Sequence, residues 1–246
     1  MIKINRKKIM VIIGIVVLLL VLYFVLNNHK DKMVSSDTPL ESPVAETIMI
    51  NDKKVEIKNS LQDVTIILPE FQNLDSEFQK YINAKIETEL SEETVYQNAT
   101  LGLEEEEIGL FTYDVNYNRY NCGDYVSIVM NQYIHLGEGR PRIQKKCYVI
   151  HAKENTLSHL SDVVTNKDTY QEVIMEEINK QARSMEIELV GGNGLLELSD
   201  TQAFYIKDNK LIIYFEASEI AATAVGELEF EMPFKMVNDK FDVDKE

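Results

Sequence analysis

An uninterrupted apolar run near the N-terminus constrains this chain more than any other feature. Residues 9–26 contain no charged side chain, and residues 1–8 carry four Lys or Arg and no acid. A helix with a rise of about 1.5 Å per residue would extend about 27 Å over this run, close to the bilayer's hydrocarbon core of about 30 Å. Since basic flanks stay in the cytoplasm, the sequence predicts a cytoplasmic tail (1–8), a transmembrane helix (9–26) and an extracytoplasmic remainder of a single-pass cell-membrane protein.

A cleaved signal peptide is the alternative interpretation of this run. Its apolar stretch is usually about 7–15 residues long and ends in small residues of the A-x-A type. Here the run is longer, and Asn27-Asn28-His29-Lys30-Asp31-Lys32 follows it. This favours an uncleaved anchor, and both interpretations place the rest of the chain outside the cytoplasm.

The charge of the remainder excludes one class of partner and favours another. Residues 1–8 hold four of the 25 basic residues and none of the 41 acidic residues, so the rest carries 21 basic against 41 acidic residues, a net charge of −20. So negative a surface repels nucleic acid. It attracts a basic partner and speeds its association, although solubility and repulsion from anionic lipid explain it as well.

The chain beyond the apolar run divides into a linker and a folded part. Residues 27–46 contain two Pro, three Ser and few large apolar residues, which is typical of a linker. The remaining 200 residues are enough for one large or two small domains. We predict an N-terminal part of the ectodomain over residues 47–135 and a C-terminal part over residues 136–246.

Hydrophobic patterning predicts several strands and two long helices. Alternation around Asn51-Asp52 predicts a β-hairpin over residues 47–58. Apolar residues four apart, beginning at Phe78, predict one helix, and a similar pattern predicts a second over residues 167–188. Further strands are predicted over residues 64–68, 110–117, 125–134, 143–151, 203–206, 211–215 and 227–232. Strands grouped with strands, together with two long helices, predict an α+β fold with largely antiparallel sheets.

The sequence lacks the common motifs of catalysis. It contains no Walker loop, no G-x-G-x-x-G, no nucleophile elbow and no H-E-x-x-H. The histidines form no short-spaced pair of the kind that metal sites use; they are His29, His135, His151 and His159. We therefore predict a non-catalytic protein without a metal or cofactor.

Two cysteines and one hairpin supply the remaining candidates. Cys122 and Cys147 could form a disulfide outside the cytoplasm or serve as two buried apolar thiols, and the sequence leaves both open. Strand tyrosines either pack in the core or form a binding face; they are Tyr113, Tyr117, Tyr120, Tyr125 and Tyr133. The candidate binding residues around the tip of the central hairpin are Tyr133, His135, Glu138 and Arg140.

Several short segments form a recognisable pattern along the folded part. They are Leu160-Ser161-Asp162-Val163-Val164, Ala203-Phe204-Tyr205-Ile206, Leu211-Ile212-Ile213-Tyr214-Phe215, Glu219-Ile220-Ala221 and Glu231-Met232-Pro233-Phe234. This pattern resembles the extracytoplasmic domain of RsiV-type anti-sigma factors. Residues 64–69 and 78–83 are similar to the domain that precedes it, which also occurs in some peptidoglycan deacetylases. The resemblance covers about residues 55–237.

The resemblance implies a membrane-anchored binding or sensing module of the bacterial cell envelope. It implies a ligand that is a basic protein such as lysozyme, or a cell-wall glycan. An accessory domain or enzyme of peptidoglycan modification is the alternative. The eight residues of the predicted tail are too few to bury the roughly 800 Å² that a partner contributes to a stable interface, so direct inhibition of a sigma factor is not expected.

Overall fold

The computed structural model of the protein describes residues 48–104 and 107–241. The predicted tail, transmembrane helix and linker lie outside these residues. Within the two described ranges, no helix combines the length and apolarity needed to cross a membrane.

A six-stranded sheet forms the centre of the described fold, with its strands in sequence order. Its strands are β1 (Met49–Lys58), β2 (Gln62–Gln72), β3 (Phe111–Cys122), β4 (Tyr125–Leu136), β5 (Glu138–His151) and β6 (Thr156–Leu157). Neighbouring strands are antiparallel except β2 and β3, which are parallel. Helices separate β2 from β3 in the chain, which gives the crossover that parallel strands require.

A smaller antiparallel sheet and three helices complete the described fold. The small sheet contains β7 (Phe204–Lys207), β8 (Lys210–Phe215) and β9 (Leu228–Pro233), and the helices are α1 (Ser76–Glu89), α2 (Glu92–Ala99) and α3 (Tyr170–Ser184). The predicted α+β class with mainly antiparallel sheets is confirmed. Helix α2 was not predicted, because it is eight residues long and buries only Val95, which leaves no readable period.

Two hydrophobic cores flank the six-stranded sheet. The first lies on the face that carries Tyr113 and Ile128 and includes Ile82 and Ile86 of α1. The second contains Val129 of the opposite face together with residues of the small sheet and of α3. The large sheet therefore packs against helices on one side and against the small sheet on the other.

The predicted helical spacings are confirmed in α1 and α3. Asp75 caps α1, and its carboxylate accepts hydrogen bonds from the backbone N–H groups of Glu77 and Phe78. The buried residues of α3 recur every four positions from Tyr170, as the amphipathic pattern predicts. This helix ends at Ser184, earlier than predicted.

The hairpin predicted over residues 47–58 is wrong. Strand β1 runs without interruption through Asn51 and Asp52, which pair with Glu70 and Pro69 of β2. A tight two-residue hairpin turn needs positive φ, and neither Asn51 nor Asp52 has it. Strand β2 also continues beyond Pro69. Ile66 is the last residue of β2 that pairs with β3, so at Pro69 the strand has a partner on one side only, and a proline is tolerated there.

The division predicted after His135 falls inside β4, one residue before this strand ends. Strands β4 and β5 pair from Tyr125 and His151 to the hairpin tip, where Leu136 pairs with Glu138. The predicted N-terminal and C-terminal parts therefore both contribute strands to one sheet.

Candidate functional site

The small sheet covers only part of the large sheet, because it packs on one end of strands β3 to β5. On the covered end, Ser127, Val129 and Val149 are buried. Toward the β4–β5 hairpin tip, side chains on the same face, such as Asp114 and Asn116, are exposed. We call this exposed part the open face; its residues are Thr65, Ile67, Thr112, Asp114, Asn116, Asn118, Asn131, Tyr133, His135 and Ile143.

Aromatic and charged contacts hold the small sheet at the border of the open face. The ring of Tyr120 stacks on Tyr205, with 5.7 Å between centroids, and Lys207 Nζ lies 4.9 Å from the Tyr120 ring centroid. Lys145 binds the Glu229 carboxylate at 2.6 Å, and its backbone N–H donates to the Tyr214 hydroxyl at 3.0 Å. These contacts fix where the covered part of the large sheet ends.

An asparagine cluster lies in the middle of the open face. The Asn131 side-chain amide donates to Asn116 Oδ1 at 2.9 Å and to Asn118 Oδ1 at 3.0 Å. Because both its amide hydrogens are used, Asn131 orients the other two side chains. The amide nitrogens of Asn116 and Asn118 have no protein acceptor within the described ranges, so the cluster presents donors to solvent.

An exposed aromatic and aliphatic pair lies beside the asparagine cluster. Tyr133 and Ile143 are directly opposite each other on β4 and β5 and are 36% and 57% exposed. On its other side Tyr133 is opposite Asp114 of β3, whose carboxylate has no cationic partner among the residues that the structure describes. An apolar pair next to polar groups with free hydrogen-bonding capacity is a common composition for a protein-binding surface.

The structure brings two of the four predicted binding residues together. The rings of Tyr133 and His135 lie on the open face with 6.4 Å between centroids, and His135 Nε2 is 3.3 Å from the backbone oxygen of Gly139. Glu138 and Arg140 are exposed on β5 beyond the turn. In the described part of the chain, no hydrogen bond or ion pair connects either of them to His135.

Two glycines anchor the hairpin tip against the chain that enters β3. The backbone N–H of Gly109 donates to the carbonyl oxygen of Leu136 at 2.8 Å. Gly137 has a φ of 89°, and a Cβ there would lie 2.7 Å from Gly109 Cα and from the Leu110 nitrogen. Only glycine fits this close approach. The role of Gly109 depends on a contact that the sequence pattern does not show.

Cys122 and Cys147 are not joined by a disulfide in the described part of the chain. They lie on β3 and β5, which are separated by β4, and they are offset along the strands, because Cys122 pairs with Tyr125 of β4 and Cys147 with Val129. Two strand spacings across and four residues along the strand put their backbones roughly 16 Å apart. A disulfide requires Cα atoms closer than about 7 Å. The separation is too large for this bridge. The Cys122 thiol is buried and donates a hydrogen bond to Asn209 Oδ1 at 3.4 Å, and burial raises the pKa of Cys147 to about 12.

The fold and the open face define an α+β domain that presents a partly uncovered sheet. Residues 161–235 match the model of DUF3298, a family described as a protein of unknown function. The matched segment contains α3 and the small sheet. No curated protein matches the sequence.

Two crystal structures show that the similarity of fold extends beyond the matched segment. A member of the DUF3298 family from Bacteroides fragilis NCTC 9343 aligns with a TM-score of 0.53 and 11% identity, covering 77% of this chain and 91% of that chain. A DUF3298 family protein from Pseudomonas aeruginosa PAO1 aligns with a TM-score of 0.53 and 11% identity, covering 81% and 93%. At 11% identity these two structures show similarity of fold alone. The lysozyme-sensing role that the RsiV-type resemblance implies stays a proposal.

Proposed function

We propose that this protein is a non-catalytic, membrane-anchored binding or sensing module outside the cytoplasmic membrane, and that its open face binds a basic envelope-active protein such as a lysozyme. The observation that carries the proposal is the exposed sheet surface around Tyr133. The predicted N-terminal anchor would hold this surface near the membrane.

The size of the open face suits one side of a protein interface when the hairpin tip is included. The four strands β2 to β5, each about 4.8 Å wide and about six residues long over the open face, correspond to a flat area of roughly 400 Å². A stable interface takes about 800 Å² from each partner. Side-chain relief and the adjacent tip with Glu138 and Arg140 supply the additional area.

Charge favours a basic partner over a neutral or acidic one. The chain has a net charge of −16, which attracts and steers a cationic protein at low ionic strength. Opposite Tyr133, the carboxylate of Asp114 has no cationic partner among the described residues and offers an acceptor to a Lys or Arg of the partner. The Lys58–Asp63 and Lys54–Glu56 pairs nearby are already satisfied, at 3.0 Å and 2.8 Å.

Tyr133 is the expected anchor of the interface. Tyrosines at the centre of protein interfaces often contribute about 2 kcal/mol or more, which is a factor of about 30 in affinity. Ile143 beside it extends the apolar contact, and the polar groups around the pair form the rim.

Biolayer interferometry tests this proposal. It measures binding of the full-length chain, held in detergent micelles, to a lysozyme at low and at high salt. We expect binding at low salt that weakens as salt rises. Tyr133→Ala is expected to weaken it by about 30-fold, while Asp114→Asn lowers the association rate mainly at low salt.

Tyr81→Ala is the matched control, because Tyr81 is 50% exposed on α1, which packs against the other face of the large sheet. No binding at low salt would exclude a lysozyme as ligand. An equal loss in the Tyr81 and Tyr133 variants would exclude the open face as the binding site.

A cell-wall glycan is the second candidate ligand, and the asparagine cluster favours it. Amide groups fixed next to a tyrosine ring can hydrogen-bond sugar hydroxyls while the ring packs on the sugar. The protein would then serve as an accessory domain of peptidoglycan modification. This candidate would be supported if the chain bound soluble peptidoglycan fragments independently of salt and if Asn131→Ala lost that binding. Salt-sensitive binding to lysozyme, with no binding to the fragments, would exclude it.

A further inference from the structure

A small pocket opens between helix α2 and strands β4 and β5. Its volume is about 160 Å³, and its lining includes Val95 and Asn98 of α2, Gln132 of β4, and Arg142 and Gln144 of β5. An apolar cavity of about 150 Å³ accepts a molecule the size of benzene. The pocket therefore has room for one small ring or a group of similar size.

Gln132 directs an unpaired amide group toward this pocket. The residue is only 4% exposed, and its Oε1 accepts a hydrogen bond from the Tyr113 hydroxyl at 3.2 Å. Its amide nitrogen has no hydrogen-bond acceptor among residues 48–104 and 107–241. Within those ranges, Asn238 Oδ1 is the one side-chain polar atom that is fully buried and has no hydrogen-bond partner. The unpaired nitrogen of Gln132 is therefore not fully buried, and because Gln132 lines the pocket, we infer that the nitrogen is accessible from there. A donor that is accessible only from a pocket can be satisfied by a water or by a ligand in that pocket.

The less exposed of the two acidic groups in the lining is already neutralised. Glu89 binds Lys85 at 2.5 Å and Lys146 at 2.8 Å, and it accepts a hydrogen bond from the Tyr148 hydroxyl at 2.8 Å. Burial alone would raise the pKa of Glu89, but these three hydrogen bonds hold it below the ordinary value. Glu89 therefore neither repels an anion strongly nor offers a free acceptor.

Arg142 is the cation of the lining that lacks a carboxylate partner in the described structure. Lys145 is engaged with Glu229 at 2.6 Å and Lys146 with Glu89. The exposed Glu216 at the edge of the pocket is the opposing charge that a ligand would meet. A planar guanidinium beside amide donors matches the two oxygens of a carboxylate, which such groups bind in bidentate fashion.

We propose that this pocket binds a small organic carboxylate. Arg142 holds the carboxylate, the amide of Gln132 donates a further hydrogen bond, and Val95 and Ile134 contact the apolar body of the ligand. The pocket lies against the helix-covered face of the sheet, so this site is separate from the open face and does not depend on the function proposed for it.

To test the proposal, the full-length chain in detergent micelles is titrated with benzoate. The side-chain amide resonances of Gln132 in ¹H–¹⁵N spectra report binding. Benzamide, of the same shape but uncharged, is the matched probe. We expect benzoate to shift the Gln132 resonances with a millimolar dissociation constant, and benzamide to bind at least tenfold more weakly.

Arg142→Gln is expected to weaken benzoate binding at least tenfold. Arg183→Gln removes the same charge from the exposed end of α3 and should leave the dissociation constant within twofold of that of the unaltered chain. Equal binding of benzoate and benzamide, equal loss in the two Arg variants, or unmoved Gln132 resonances would each overturn the proposal.

Discussion

Ser127 connects the two sheets through one buried hydrogen bond. Its hydroxyl accepts a hydrogen bond from the backbone N–H of Ile206 at 2.9 Å, and both residues are 0% exposed. Just before β7, the backbone N–H of Tyr214 donates to the carbonyl oxygen of Ala203. Hydrogen-bonded and non-hydrogen-bonded pairs alternate along an antiparallel ladder, so Ile206, three residues after Ala203, occupies a non-hydrogen-bonded position. Its N–H therefore points away from β8 and depends on Ser127.

Ser127→Ala should lower the free energy of unfolding by about 1–3 kcal/mol, because it leaves the buried N–H of Ile206 unpaired. This is a large share of the roughly 5–15 kcal/mol that stabilises a typical domain. Urea-induced unfolding of the full-length chain, followed by tyrosine fluorescence and circular dichroism, measures the loss. We expect a lower midpoint with an unchanged slope.

Ser158→Ala provides the control for this measurement. Ser158 is also buried, at 9% exposure, but its hydroxyl makes no hydrogen bond in the described part of the chain. Removal of this hydroxyl should change the free energy of unfolding by less than about 0.5 kcal/mol. An equal loss in the two variants would refute the view that the Ser127 bond holds the small sheet in place.

Three further predictions concern the core, the hairpin tip and pH. Ile82→Ala, at a fully buried position of α1, should lower the free energy of unfolding by about 2–5 kcal/mol in urea. Gly137→Ala should reduce hydrogen-exchange protection of the Gly109 amide, whereas Gly139→Ala, where an added Cβ contacts nothing within 4 Å, should leave it protected. Because the pKa of Glu89 is lowered in the folded state, its ionised form stabilises the protein fully above the ordinary Glu pKa, and this contribution is lost as pH falls through the lowered value. In urea, Glu89→Gln should therefore have a lower free energy of unfolding than the unaltered chain at pH 7, and this difference should shrink toward pH 3. A difference that does not depend on pH would contradict a stabilising role of the ionised Glu89.

Elements whose patterns are local were readable from the sequence. The four-residue spacing of Ile82 and Ile86 predicted α1, because a helix buries one face through neighbours in the same turn or the next. The strands predicted over residues 203–206 and 211–215 form the β7–β8 hairpin, in which Asp208 and Asn209 both adopt positive φ in the two-residue turn.

Patterns that depend on distant partners misled the sequence analysis. Asn51 and Asp52 resemble a turn, yet they continue β1 because β2 offers a ladder across the whole strand. Two of the predicted site residues, Tyr133 and His135, do share a surface, since alternate residues of one strand face the same side. Glu138 and Arg140 were grouped with them by sequence proximity alone.

The sequence by itself determined the acidic charge, the α+β class, the two long helices and the strand content, because these follow from composition and short-range periodicity. Only the tertiary structure decided which part of the large sheet stays uncovered and which side chains meet in the Gln132 pocket. Both depend on contacts between distant residues, such as Ser127 with Ile206 and Glu89 with Lys146. Side-chain alternation within a strand indicates that there are two faces, but the docking of another element decides which face remains exposed.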